Sequence, residues 1–134
     1  MTTDPEQAAR AALDDFLIAW NAADIDAVRR TLNYPHVTIG PAGHVIVAQS
    51  PDDFTTDFAR MREREGWNRS SFDSFTLIDA SPDKVHCGIE FSRYRADGTC
   101  YSRGLVLYIV TKRGEHWGMQ LRSGMRDARS LVAR

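Results

Sequence analysis

Few side chains in this 134-residue chain pair a reactive type with a position that a fold could exploit. His36 and Thr38 share parity with Gly40 in a short extended segment, so both could point into an interior. A histidine at a pocket mouth titrates close to neutral pH, which suits it to acid–base work. The competing reading makes His36 a surface or capping residue after Tyr34-Pro35. Arg93 and Arg103 lie near the ends of long extended segments. Arg103 could hold an anionic group of a ligand or make an ordinary rim salt bridge. Ser123, near the end of the last such segment, has no base nearby and is a poor nucleophile. His36, His44, His86 and His116 show no i, i+4 or His-x-His pairing and no clustering with acids, so no metal site is expected. Cys87 and Cys100 are too few for a disulfide framework and fit no metal-ligand spacing; they read as a buried or half-buried thiol pair. No cofactor is expected.

These candidates must be positioned by one domain. A chain of this length buries roughly two-thirds of its unfolded surface, enough for a real core. Hydrophobic content of 43% and charged content of 26% are ordinary for a globular protein. The 17 basic and 18 acidic residues are well mixed and leave a net charge of -1, with no basic stripe. Nucleic acid and anionic membrane are therefore poor partners. The apolar run Phe16-Leu17-Ile18-Ala19-Trp20 is too short for a signal-peptide core or a membrane span, and the expected location is the cytoplasm.

Residues 4 to 20 predict a helix. Asp4 can cap it, Pro5 suits its first position, and Ala9, Leu13, Phe16, Leu17 and Trp20 make one apolar stripe. Asp24 caps a short second helix with Ile25, Val28 and Leu32 inward. Tyr34-Pro35 ends the helical region. Val37 to Ile39 and Val45 to Val47 read as a small hairpin around Gly40-Pro41-Ala42-Gly43. Ser50 is expected to cap a third helix, with Pro51 at its first position, Phe54, Phe58 and Met61 inward, and Gly66 as its stop. From Asn68 the period becomes two, and strands are predicted over 69–80, 84–95, 100–112 and 116–125, joined by short turns into a meander. The core spans about 5–125, with a polar tail over 126–134 that frays or forms a short terminal turn.

Parity assigns the sheet faces. Val85, Cys87, Ile89 and Phe91 share one side of their strand. In the next strand Leu105, Leu107 and Ile109 share a side with Arg103, while Val106, Tyr108 and Val110 sit opposite, so that strand is apolar on both faces. In the last, Trp117, Met119, Leu121 and Ser123 oppose His116, Gln120 and Arg122. Helices can cover only one face. The other is expected to meet a second copy of the chain, sheet to sheet in a homodimer; a concentration-independent monomer in sedimentation would exclude this.

The order of elements, with the segments Asp24-Ile25-Asp26-Ala27-Val28, Gly40-Pro41-Ala42-Gly43 and Trp117-Gly118-Met119-Gln120-Leu121-Arg122-Ser123, resembles the nuclear transport factor 2-like superfamily over about residues 5 to 125. Within it, the chain looks most like the SnoaL-like and ketosteroid-isomerase-like branch. The resemblance implies a single cone-shaped α+β domain over 1–134, three N-terminal helices packed on a curved, mostly antiparallel sheet. It also implies a pocket between helices and concave face, and homodimers through the outer face.

Carried over residue by residue, the isomerase's general base falls on Gly40, its phenolic donor on Phe16 and its protonated acid on Leu107. With all three functional groups absent, proton abstraction by that route lacks both base and enolate stabiliser. Epoxide hydrolysis would need carboxylates flanking an arginine such as Arg103, yet no Asp or Glu shares the inward parity, and Glu90 faces away. The expected pocket is formed by Phe16, Trp20, His36, Thr38, Phe58, Arg103, Leu107, Met119, Leu121 and Ser123. Two functions follow. The chain is a non-catalytic small-molecule-binding or association module of unknown specificity that uses the apolar pocket or the dimer surface, or it is a cyclase, dehydratase or isomerase acting on a small apolar or polyketide-like substrate through His36 and Arg103.

Overall fold

The Asp4 carboxylate accepts the Glu6 amide at 3.0 Å and starts the first helix, α1 (Pro5–Asn21), satisfying an otherwise orphaned donor. Its buried stripe is Ala8, Ala9, Ala12, Leu13, Phe16 and Ala19. Asp24 caps α2 (Ile25–Arg30) in the same way, accepting the Ala27 amide at 3.1 Å, and Val28 is fully buried beneath it. The first helix lies where its cap and spacing place it. The second starts at its expected cap but ends at Arg30, so Leu32 opens the following strand instead of closing the helix, and Tyr34-Pro35 lies within that strand. The computed structural model describes residues 4–127.

Strand β1 (Leu32–Ile39) pairs antiparallel with the short β2 (Val45–Ala48). A single turn of 3-10 helix (Pro51–Asp53) follows, and then α3 (Phe58–Glu65). The third helix is thus shorter than its sequence suggests. Ser50 makes no side-chain cap; Asp57 caps α3 instead, accepting the Arg60 amide at 2.9 Å. Phe54 is extended (φ -86°, ψ 122°), and the β-branched pair Thr55-Thr56 continues the break. Gly66 closes α3 in the left-handed region at φ 72°, where a side chain would be strained.

Four long strands complete the sheet: β3 (Arg69–Ser81), β4 (Lys84–Tyr94), β5 (Cys100–Arg113) and β6 (His116–Asp127). The order is β2-β1-β6-β5-β4-β3, and every pairing is antiparallel except β1 with β6. The result is a curved, open mixed sheet with helices on one face. Strand β6 runs past Gly124 to Asp127, so the expected tail begins later; residues 128–134 lie outside the described residues. Among the described residues no helix is long and apolar enough to cross a membrane.

The core forms where α1 crosses the concave face. Val85, Cys87 and Ile89 of β4 meet Val106, Tyr108 and Val110 of β5, all buried, beneath Leu13 and Phe16. This confirms the inward parity read for β4. It reverses the pocket assignment for β5, where Leu105, Leu107 and Ile109 take the outer face. A strand apolar on both sides leaves the choice to its partners, and the register Cys87↔Tyr108 makes it.

In β6 the pattern breaks for a different reason. Val110 pairs with Met119 and Ile109 with Leu121, so Gln120 is an extra residue, a β-bulge. Its side chain is anchored on both sides, donating to the Pro35 carbonyl and accepting from the Thr111 hydroxyl at 2.9 Å. The bulge shifts the phase by one residue. Met119 faces the core, Leu121 and Ser123 pair with the outward Ile109 and Leu107, and Arg122 pairs with the inward Tyr108.

Candidate functional site

Beside this core, α1 and the sheet diverge and leave a cavity of about 310 Å³. Phe16, Leu17 and Trp20 of α1 form one wall, and Leu32, His36 and Thr38 of β1 form another. Phe72 of β3, Phe91 and Arg93 of β4, Tyr108 of β5 and Arg122 of β6 form the floor. Asp53, the last residue of the 3-10 turn, and the segment from Phe54 to Thr56, created by the break before α3, contribute to the lining. The aromatic walls brace one another. Phe16 stacks on Trp20 at 5.6 Å and lies parallel to Phe72 at 6.4 Å, and its edge meets Tyr108 at 6.2 Å.

His36 is 3% exposed, and its Nδ1 lies 2.9 Å from the Met119 carbonyl oxygen. A carbonyl can only accept, so Nδ1 carries the hydrogen in either protonation state. In the neutral ring Nε2 is then the free base, the nitrogen left for the cavity. Burial pulls the His36 pKa below its ordinary value; the Met119 carbonyl opposes that shift and the nearby Arg122 adds to it. The imidazole is therefore neutral at pH 7. As pH falls below about 6.5 the unfolded chain takes up a proton that the folded chain resists, so stability is lost in the acid direction. His36→Asn, which keeps a donor toward Met119, is expected to flatten this component of the Tm–pH profile between about pH 7.5 and 5. An unchanged profile would remove His36 as its source.

Arg93 is neutralised, donating to Glu65 of α3 at 3.1 Å, and Glu65 also accepts the Tyr101 hydroxyl at 2.9 Å. Burial, with Glu65 beside it, pushes the Tyr101 phenol up to about 12. Arg122 differs: among the described residues no carboxylate lies within ion-pair distance of it. Burial raises the Tyr108 phenol, and the neighbouring Arg122 guanidinium partly offsets this. Cys87 is buried, which pushes its thiol up to about 11, whereas Cys100 is half-buried; both are free. Among the described residues no group of His, Cys, Asp and Glu could hold a metal ion.

Of the residues expected in the pocket, the structure brings Phe16, Trp20, His36 and Thr38 together. Phe58 and Met119 belong to the core instead; Phe58 lies behind Trp20 at 4.9 Å, and Met119 is fully buried. Leu107, Leu121 and Ser123 face outward for the reasons of register given above. Arg103 is exposed on the outward parity of β5, beside Cys100. Gly40 is a hairpin residue whose amide donates to the His44 carbonyl at 2.8 Å. Sequence reasoning missed Tyr108 and Arg122, each one residue away from a position it selected, as well as Phe72 and Phe54. The inward register of β4 could have found Tyr108, but nothing local in the sequence marks the bulge that turns Arg122 inward.

Helices over the concave face of a curved mixed sheet, with an aromatic cavity between them, define a nuclear transport factor 2-like protein. The chain belongs to the family described as NTF2-like protein (DUF6841), which matches residues 5–120. That match does not single out the SnoaL-like or isomerase branch. No curated protein matches the chain. Among solved structures, Aln2 from a Streptomyces species is similar with a TM-score of 0.73 at 16% identity, covering 100% of both chains. A protein from Catenulispora acidiphila in complex with S-DNPA has a TM-score of 0.71 at 12% identity, covering 96% of this chain and 97% of the other. A protein of unknown function with a cystatin-like fold from Nostoc punctiforme has a TM-score of 0.69 at 15% identity, covering 90% of this chain and 89% of the other. At these identities the likeness is one of fold.

Proposed function

We propose that this chain binds a small, largely apolar molecule in the cavity between α1 and the sheet. The observation that carries the reading is the cavity itself: about 310 Å³ walled by Phe16, Trp20, Phe72 and Phe91 and left unfilled by the chain's own side chains. Such a volume lies at the lower end of the ~300–1,000 Å³ typical of ligand sites. That the Catenulispora acidiphila protein of this fold was solved in complex with S-DNPA supports the reading. The neutral fluorophore N-phenyl-1-naphthylamine is expected to bind with enhanced emission and to quench Trp20. Thr38→Trp, which fills the cavity, should abolish both signals in a protein that remains folded by circular dichroism. Absence of binding by the unaltered chain would overturn the proposal.

A second reading, catalysis, is favoured by one observation: His36 is buried, neutral and tautomerically fixed with Nε2 left for the cavity. A general base in that state could move a proton on a bound substrate, in keeping with a cyclase, dehydratase or isomerase. The half-exposed Leu105, Leu107, Ile109 and Leu121 on the outer face support a homodimer through that face, which sedimentation equilibrium tests.

A further inference from the structure

We infer that the Arg122 end of the cavity is a receptor for a single negative charge, and that the molecule it takes is a small aromatic carboxylate. The inference rests on the binding role proposed above and adds the ligand's chemistry to it.

The argument begins with what holds each arginine near the site. Arg29 donates to Asp26 at 3.1 Å and to the Phe54 carbonyl at 2.9 Å, and Arg93 is matched by Glu65. Arg122 has no such partner among the described residues, yet it is half-buried and lines the cavity. A guanidinium held against apolar walls without a counter-charge is costly, and a ligand anion removes that cost. Its placement comes from the backbone. The bulge at Gln120 turns it inward opposite Tyr108, and Gly124 lies under it, where a β-carbon would sit 3.1 Å from Nη1. Its Cζ is 5.9 Å from the centre of the Phe91 ring. Substitution at Gly124 would push the guanidinium off this seat.

The charges around it select a monoanion. His36 is neutral, Arg93 and Glu65 cancel, and Asp53 is exposed, its Oδ2 accepting the Gln49 amide at 3.0 Å. Only one uncompensated positive charge among the described residues faces the interior. A guanidinium fork matches a carboxylate in two parallel hydrogen bonds, whereas a phosphate dianion would leave a charge unmatched. The Tyr108 hydroxyl, beside the guanidinium, is placed to donate to the same group. The rest of the lining, Phe16, Leu17, Phe72 and Phe91, suits a flat apolar body.

Matched probes separate this inference from the binding role beneath it. 2-Naphthoate and 2-naphthamide share a ring system and differ in charge. By calorimetry at pH 7.5 the unaltered chain is expected to bind the acid about tenfold or more tighter than the amide. Arg122→Gln should remove the preference and leave amide binding intact; Arg103→Gln, on the outer face, should preserve the preference. Equal affinity of the unaltered chain for both probes would overturn the anion receptor while sparing the cavity. A preference that survives in Arg122→Gln would overturn the assignment to Arg122. Failure of both probes to bind would overturn both readings. The comparison within the unaltered chain holds even if Arg122→Gln does not fold.

Discussion

Replacing Trp67 with alanine is expected to lower stability by about 3–5 kcal/mol, the range for deleting a buried aromatic side chain. Trp67 is 2% exposed, wedged between Phe58 at 5.6 Å and Trp20 at 6.4 Å. Its Nε1 donates to the Ser70 hydroxyl at 3.0 Å. Ser70 is in turn stitched to the end of α1, since its amide donates to Asn21 Oδ1 at 2.8 Å and its carbonyl accepts from Asn21 Nδ2 at 2.9 Å. The indole therefore ties α3, the start of β3 and the end of α1 at one point. Against a total stability of about 5–15 kcal/mol, its loss is a large fraction. At about 3–5 °C per kcal/mol for a chain of this size, Tm should fall by roughly 10–20 °C. Trp67→Phe should lose less, because it forgoes mainly the hydrogen bond and the smaller ring volume. The cavity is expected to suffer as well, since Trp20 would lose the ring behind it. A Trp67→Ala variant with unchanged Tm would contradict this account.

Gly118→Ala should be destabilising for a steric reason. A β-carbon at Gly118 would lie 2.9 Å from the Thr31 carbonyl oxygen, 3.0 Å from the Leu32 carbonyl carbon and 2.8 Å from His116 Cε1. Two of these are backbone atoms at the start of β1, where the Met119 amide donates to the Thr31 carbonyl at 3.1 Å and Leu32 pairs with Met119. They cannot retreat without opening the parallel pairing of β1 with β6. The same junction carries a polar clamp. His116 meets Asn33 Oδ1 at 2.7 Å and the Arg30 carbonyl at 2.8 Å, and Asn33, 5% exposed, donates to the Thr111 carbonyl at 2.8 Å. Overpacking of this kind costs about 1–3 kcal/mol, and the upper end is expected because rigid backbone is opposed. Gly88 is the control. A β-carbon there meets nothing within 4 Å, so Gly88→Ala should leave Tm nearly unchanged. Equal Tm values for the two variants in thermal denaturation would refute the packing argument.

Both expectations concern residues that carry no chemical signal in the sequence. Trp67 stands at the boundary between a helix stop and a strand, where neither a period of 3.6 nor a period of two assigns it a face. Gly118 sits in a segment whose resemblance to a closing strand is visible, but the need for a glycine arises from β1, far earlier in the chain. By contrast, α1 and the start of α2 were legible because a cap and an apolar stripe are local. The end of α2 was not, because Leu32 is drawn into β1 by its pairing with Met119 of β6. The third helix misled because Pro51 and the spacing of Phe54, Phe58 and Met61 mimic a continuous helix, while Asp57 offers the competing cap that the chain uses.

Local rules were enough to specify an α+β fold with a capped first helix and a long closing meander, the inward face of β4, and the apolar stripe of α1 that carries Phe16. Those features depend on capping, turn chemistry and side-chain periodicity, which act over a few residues. Which face of β5 turns inward was decided by its pairing, because both faces are apolar and only the register Cys87↔Tyr108 breaks the tie. The phase of β6 was decided by the Gln120 bulge, whose anchors, Pro35 and Thr111, lie on two other strands. Through that one inserted residue the tertiary structure exchanges Ser123 for Arg122 as the polar group that β6 turns to the interior, a change of charge that no local pattern in the strand announces.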